Sequence, residues 1–357
     1  MTGRQQTQAL AEAITAACAA DRTYHIMEVC GTHTVSLFRT GVKTLLPDNV
    51  HLISGPGCPV CVTPQGYIDA ACRAAERADV TICTYGDMVR VPGQEGSLAE
   101  RRSRGANVVV VYSARDALQY AVDHPDTRVI FLAVGFETTT PPTAAVVKRA
   151  QEQGVDNFYV YDSHKLVIPA LQALLADPET CIDGFLCPGH VSVIIGADAY
   201  KPVVEEHRKP CVIAGFEPGQ MLQAILDIVQ QLNADAPAVE NPYNAVVSDG
   251  GNAVAQQFVD DVFEVADAQW RAIGTIPASG LRLRPAYAAY DAARHFDLDA
   301  GEDYCPPGCR CGDVIQGKTS PADCPLFRHA CSPTTPVGPC MVSSEGTCAA
   351  WYKYGRA

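Results

Sequence analysis

The chain has no apolar run approaching the roughly 20 residues that cross a bilayer, and its opening residues, MTGRQQTQALAEAITAAC, lack the long apolar core of a secretory signal. The expectation from both absences is a soluble, cytoplasmic protein with no membrane partner. Charge is scarce, and positive charge scarcer. Of 357 residues 19% are charged, with 27 Lys and Arg against 40 Asp and Glu, for a formal net charge of −13. Proteins that bind nucleic acid cluster Lys and Arg against phosphate, so no nucleic-acid partner is expected. Also missing are G-x-x-x-x-G-K-[ST], H-E-x-x-H, G-x-S-x-G and the Rossmann G-x-G-x-x-G. Phosphate cradling, zinc proteolysis, serine hydrolysis and dinucleotide binding therefore have no signature here.

What the chain has in quantity is apolar surface and sulfur. Hydrophobic residues make up 47%, enough to bury a real core, and there are 16 cysteines, seven of them between Cys305 and Cys348. In a reducing compartment such a set points to metal binding or thiol chemistry rather than to a disulfide framework.

Periodicity organises the rest. Gln5 to Ala20 has helical spacing. From Tyr24 to about His124, short β-branched runs (His51 to Ser54, Val80 to Thr84, Val108 to Tyr112) alternate with helical stretches such as Tyr67 to Arg77, and the same happens from Arg128 to about Asn233. This pattern predicts parallel sheets with crossover helices. Gly31 falls on Gly135 at an offset of 104, and Gly86 on Gly189 at 103, which marks an internal duplication. The expected fold class is α/β, with two duplicated parallel-sheet domains facing a cleft and a third, mainly helical and irregular domain. The expected boundaries are an N-terminal helix in 1–23 packing on the third domain, α/β domains in 24–127 and 128–235, and the third domain in 236–357. Ala253 to Ala266 and Pro285 to His295 read as helices there.

Four groups of residues could carry chemistry. In YHIMEVCGTHT an apolar strand ends at Cys30 and His33, where the alternatives are a small buried hydrophobe with a structural imidazole or a ligand pair. In GPGCPVCVTP, Cys58 and Cys61 form a C-x-x-C that reads as a redox dithiol, a metal site with Cys30, or a structural turn. GFETTTPP and PGHVSVIIG place Glu137 and His190 at strand ends, where ligands of open α/β sheets bind, although helix capping also explains the Thr run. Asp87, Arg90 and Glu217 have similar settings. Last, the tail holds Cys309, Cys311, Cys324, Cys331, Cys340 and Cys348 in a loop-rich stretch that apolar burial alone would not fold. Wide gaps between these cysteines favour a [4Fe-4S] cluster over the paired knuckles of structural zinc.

Together, MEVCGTHT, GPGCPVCVTP, TYGDMVRVPG, GFETTTP, PGHVSVIIG, AGFEP and CMVSSEGTCAAWY resemble the HypD family of hydrogenase maturation proteins, from about Ile26 to Tyr352. The resemblance implies a scaffold with redox activity on which the Fe(CN)2CO unit of [NiFe]-hydrogenase is assembled with the small chaperone HypC, cyanide arriving from HypE. It implies Cys30 as ligand of that transient iron, and Cys58 and Cys61 as the dithiol. Cys311, Cys324, Cys331 and Cys348 follow as [4Fe-4S] ligands in a Cys-x12-Cys-x6-Cys-x16-Cys pattern, with Cys309 and Cys340 as extras that could replace one of them. His33, Glu137 and His190 complete the expected site. The competing reading is a free-standing iron–sulfur thiol–disulfide oxidoreductase, which needs Cys58 and Cys61 but not Cys30.

Overall fold

The computed structural model describes residues 3–301 and 303–355; residues 1, 2, 302, 356 and 357, which the expected terminal and third segments include, lie outside the described residues. Eleven strands form in chain order: β1 (Tyr24–Glu28), β2 (Val50–Ser54), β3 (Val80–Thr84), β4 (Asn107–Val110), β5 (Arg128–Gly135), β6 (Phe158–His164), β7 (Gly184–Pro188), β8 (Cys211–Ala214), β9 (Val239–Glu240), β10 (Phe263–Trp270) and β11 (Gly274–Leu283). One sheet runs β2-β1-β7-β8-β9 and another β4-β3-β5-β6, every pair within them parallel. Central strands are covered on both faces, so β3, β7 and β8 are buried at every residue, and their sequences read as unbroken apolar runs.

The duplication holds at the level of strands: Tyr24, Val80 and Asn107 open strands 104 residues ahead of Arg128, Gly184 and Cys211. The sheets do not follow its halves. Each takes the first two strands of one half and the last two of the other, so 24–127 and 128–235 are not the units that pair. The connections after β2 and after β6 each cross from one sheet to the other. Segments 24–54 and 184–240 build the first sheet, and 80–164 builds the second. Strand pattern says which residues extend; it does not say which strand lies alongside.

Two further expectations are corrected. The helix Gly3–Ala17 packs not on the C-terminal region but on the helix Pro218–Ala234. Ile14 enters a core with Met221, Leu222 and Ile225, and Asn233 Nδ2 donates to the Ala17 carbonyl at 2.7 Å. The expected helix Ala253 to Ala266 stops at Val262, and Phe263 opens an antiparallel hairpin, β10 with β11. The C-terminal region also has no core of its own. Trp270, Ile276, Phe296 and the tail cysteines share one cluster with Cys58, Cys61 and Tyr67. Among the described residues no helix is long and apolar enough to cross a membrane.

Candidate functional site

In the first sheet the chain leaves β1 toward β2 and leaves β7 toward β8, so the crevice between β1 and β7 is the topological switch point where open α/β sheets bind ligands. Cys30 follows β1 and His190 follows β7. Their side chains meet there, with Sγ 3.6 Å from Nε2. Cys30 is the N-cap residue of the helix Gly31–Arg39, and His190 lies in the first turn of the helix Gly189–Ile195. His33, on the same helix as Cys30, is fully buried, and its Nε2–H donates to the Gly215 carbonyl at 3.0 Å. A carbonyl only accepts, so this bond fixes the tautomer and leaves Nδ1 bare and unpartnered. Phe216 lies against both imidazoles, 4.7 Å from His33 and 5.2 Å from His190.

This pocket favours neutral groups. Burial pushes the Cys30 thiol up to about 12, and the Glu345 carboxylate adds to the rise, while the peptide N–H groups of His33 and Thr32 pull the other way. Burial brings His33 down to about 4 and lowers His190, which Glu345 partly offsets. Glu345 comes from the tail and closes the crevice: Thr32 Oγ1 donates to its carboxylate at 2.6 Å, and its backbone abuts Gly31 so closely that a Cβ there would overlap it. Asp87 anchors the same tail segment, accepting from Ser344 N–H at 2.9 Å and from the hydroxyls of Ser343 and Ser344.

Glu137 is not brought to this pocket by any contact among the described residues. Its Oε1 accepts from Val167 N–H at 2.7 Å, at the start of the helix Val167–Ala176, and its side chain faces a separate cavity with Leu166, Ile194, Phe263 and Leu281. The expectation of a cleft wall shared by Glu137 and His190 is corrected: β5, which delivers Glu137, belongs to the other sheet. Glu217 forms a capping box with Gln220 on the helix Pro218–Ala234, so capping accounts for it.

The second centre is built of sulfur. Cys58 caps the short helix Pro59–Val62, its Sγ accepting from Cys61 N–H at 3.2 Å. This helix lies on the first connection between the sheets. The Cys61 thiol is pushed up by burial and by its neighbours Cys340 and Cys58. Cys348 N–H donates to Cys340 Sγ at 3.4 Å, and the neighbouring Cys348 and Cys61 pull the Cys340 thiol down. Beyond Cys340 a cavity is walled by Cys309, Cys311, Cys324, Cys331, Cys340 and Cys348 together with Leu326, Phe327 and Met341. Among the described residues no three of His, Cys, Asp or Glu are arranged to hold a single metal ion.

The family comparison decides the class. The HypD family model, described as the hydrogenase formation hypA family, matches residues 5–355. The chain belongs to the HypD family. It is 48% identical over 355 residues to hydrogenase maturation factor HypD2 of Bradyrhizobium diazoefficiens, spanning 97% of this chain and 93% of that one. It is 49% identical over 337 residues to hydrogenase maturation factor HypD of Escherichia coli, spanning 94% and 90%, and 49% identical over 354 residues to that of Azotobacter vinelandii, spanning 97% and 93%. Membership carries a role in hydrogenase maturation.

In this HypD-family chain the donor set of the tail fits an iron–sulfur cluster. Soft thiols ring a cavity whose remaining walls are apolar, the setting in which thiolate-held clusters sit. Gly338 completes the cradle, since a Cβ there would stand 3.0 Å from Cys309 Sγ and 3.3 Å from Cys311 Sγ. One residue of the site was not legible as such. Glu345 is a single acid in SSEG, and only its place beside Gly, the dress of other cleft residues, hinted at it.

Proposed function

We propose that this protein is the cytoplasmic scaffold on which the Fe(CN)2CO unit of a [NiFe]-hydrogenase is assembled, together with a HypC-type chaperone and with cyanide delivered by a HypE-type carrier. Cys30 is the thiolate that holds the iron, a soft low-spin centre suited to a sulfur ligand. His190 stands beside that sulfur to orient or hydrogen-bond an iron ligand. His33, held neutral with Nε2–H fixed, is a positioning group rather than a charged one.

Cys58 and Cys61 are the two-electron donor. For a carrier thiocyanate, the S–CN bond breaks and the two thiols join as a disulfide. Their two protons leave with the carrier's sulfur, now a thiol, and with the cyanide. A [4Fe-4S] cluster, when bound by the tail cysteines, supplies single electrons that regenerate the dithiol. Cys324, Cys331 and Cys348 are its ligands with one of the neighbours Cys309 and Cys311, of which the family resemblance implies Cys311. Cys340 links this set to Cys61.

The observation that carries the reading is the placement of Cys30 at the switch point beside the loop that leads to Cys58 and Cys61, which share one buried cluster with Cys340 and Cys348. The test is infrared spectroscopy of the protein purified anaerobically with its small partner. Bands in the CN and CO stretching region are expected for the wild type and lost in Cys30→Ala. No bands in the wild-type complex sink the scaffold reading; bands that survive the substitution remove Cys30 from the iron.

A further inference from the structure

At the turn of the β10–β11 hairpin Arg271 is fully buried, although Gly274 and Thr275 beside it are exposed. Its backbone N–H donates to the Val62 carbonyl at 2.8 Å, at the end of the helix that carries Cys58 and Cys61. One guanidinium nitrogen, Nη2, donates to Gln65 Oε1 at 3.0 Å, while Nε and Nη1 have no acceptor. The following residue, Ala272, is in the left-handed region at φ 60° and lies against Gly312, leaving no space for a Cβ there, one residue from Cys311. Gln316 Nε2 bonds both the Ala272 and the Gly312 carbonyls at 3.1 Å. Arg271 is thus wedged between the dithiol helix and the cysteine tail.

A guanidinium stays charged inside a protein, and an uncompensated buried charge is costly. Among the described residues Arg271 makes no ion pair. The nearby carboxylate of Asp303 is occupied by two peptide N–H groups, those of Gln65 and Ala272. Gly312, against which Ala272 packs, follows Cys311 on the wall of the cysteine cavity, so the hairpin turn holds the charge beside that wall. A cubane held by four thiolates is a net anion, and reduction makes it more negative.

We propose that Arg271 is the counter-charge of this iron–sulfur centre and raises its reduction potential by stabilising the reduced state; the inference rests on the cluster reading above. A buried cation near an anionic centre favours whichever redox state carries more negative charge, and low local dielectric prolongs its reach. The two unpartnered N–H groups are what such a role leaves behind when the anion is a delocalised cluster rather than a carboxylate.

The experiment is an anaerobic reductive titration of the full chain loaded with iron and sulfide, followed by visible absorbance and by electron paramagnetic resonance of the reduced state. It compares wild type, Arg271→Met and Arg271→Lys. Arg271→Met is expected to shift the reduced-to-oxidised ratio at fixed potential about tenfold toward the oxidised form, about 59 mV for one electron, while Arg271→Lys stays close to wild type. An unchanged ratio in Arg271→Met overturns the proposal, as does an equal shift in Arg271→Lys. If Arg271→Met takes up no iron, full loading of Arg271→Lys supports a need for charge, and failure of both variants assigns Arg271 a packing role and overturns it. Iron and sulfide content of the wild type is measured first, so absence of any cluster is recognised as failure of the underlying reading.

Discussion

Gly57 and Cys30 are in backbone contact: a Cβ on Gly57 would stand 2.5 Å from Cys30 Cα and overlap the Val29 carbonyl. The same approach lets Gly31 N–H reach the Gly57 carbonyl at 3.5 Å, and it brings the loop before Cys58 against the loop that carries Cys30. Backbone atoms cannot rotate aside as a side chain can. Gly57→Ala is therefore expected to destabilise the protein by about 1–3 kcal/mol, the usual range for overpacking a filled interior, and to abolish the CN and CO bands of the complex. Chemical denaturation and infrared spectra check the two effects, and a variant with wild-type stability would show that the loops yield.

Cys340 lines the cysteine cavity and accepts from Cys348 N–H at 3.4 Å, and under the proposed function it connects the dithiol to the cluster. Cys340→Ser is expected to retain the iron content of the wild type while slowing reduction of a Cys58–Cys61 disulfide by reduced cluster on the order of tenfold. Timed quench of free thiols after addition of a one-electron reductant measures the rate. Loss of iron in this variant would instead make Cys340 a cluster ligand.

Glu137 gives the fold a pH dependence of its own. Burial lifts its carboxyl from 4.5 to about 7, against the opposing hydrogen bond from Val167 N–H, and Oε2 has no partner. A folded-state value above the unfolded one means that the native protein holds this proton more tightly. The associated stability is complete below about 4.5 and is lost as pH rises toward 7. At about 1.4 kcal/mol per unit the loss is on the order of 3 kcal/mol. Denaturant melts from pH 5 to 8 should show the stability of wild type falling relative to Glu137→Gln across this window. Parallel profiles would mean that Glu137 does not titrate there.

The strands were legible because buried parallel strands announce themselves: VTICT in β3 is observed at the residues expected, Val80 to Thr84. The exchange of strands between the two sheets was not, because a run such as Val129 to Val134 carries no mark of its neighbour. β10 was missed for a different reason. Val259, Val262, Phe263 and Ala266 fall at helical spacing, and only the hairpin contact with β11 turns Phe263 onward into a strand. At the site, Cys30 and His190 could be picked out by their strand-end motifs, while Glu137, with the same local dress, is carried into a different cavity by its sheet. Glu345 reaches Cys30 from more than 300 residues away, by way of Asp87 holding the serines before it.

The cluster ligands can be separated by their positions in the cavity. Cys324, Cys331 and Cys348 come from three different turns of the tail, and Cys309 and Cys311 stand together on the remaining side, both facing Gly338. Four thiolates hold a cubane, and under the proposed function one of these two neighbours is the fourth ligand. Ser substitutions at Cys324, Cys331 and Cys348 are each expected to remove the brown absorbance and to loosen the tail, because the binding energy of the metal centre is part of the folding energy of a segment with little apolar periodicity. Of Cys309→Ser and Cys311→Ser, one should lose iron as fully as Cys324→Ser, and the other should keep it. The family resemblance predicts that the loss falls on Cys311→Ser; iron and sulfide analysis of the pair decides, and loss in Cys309→Ser alone would move the fourth ligand two residues back along the chain.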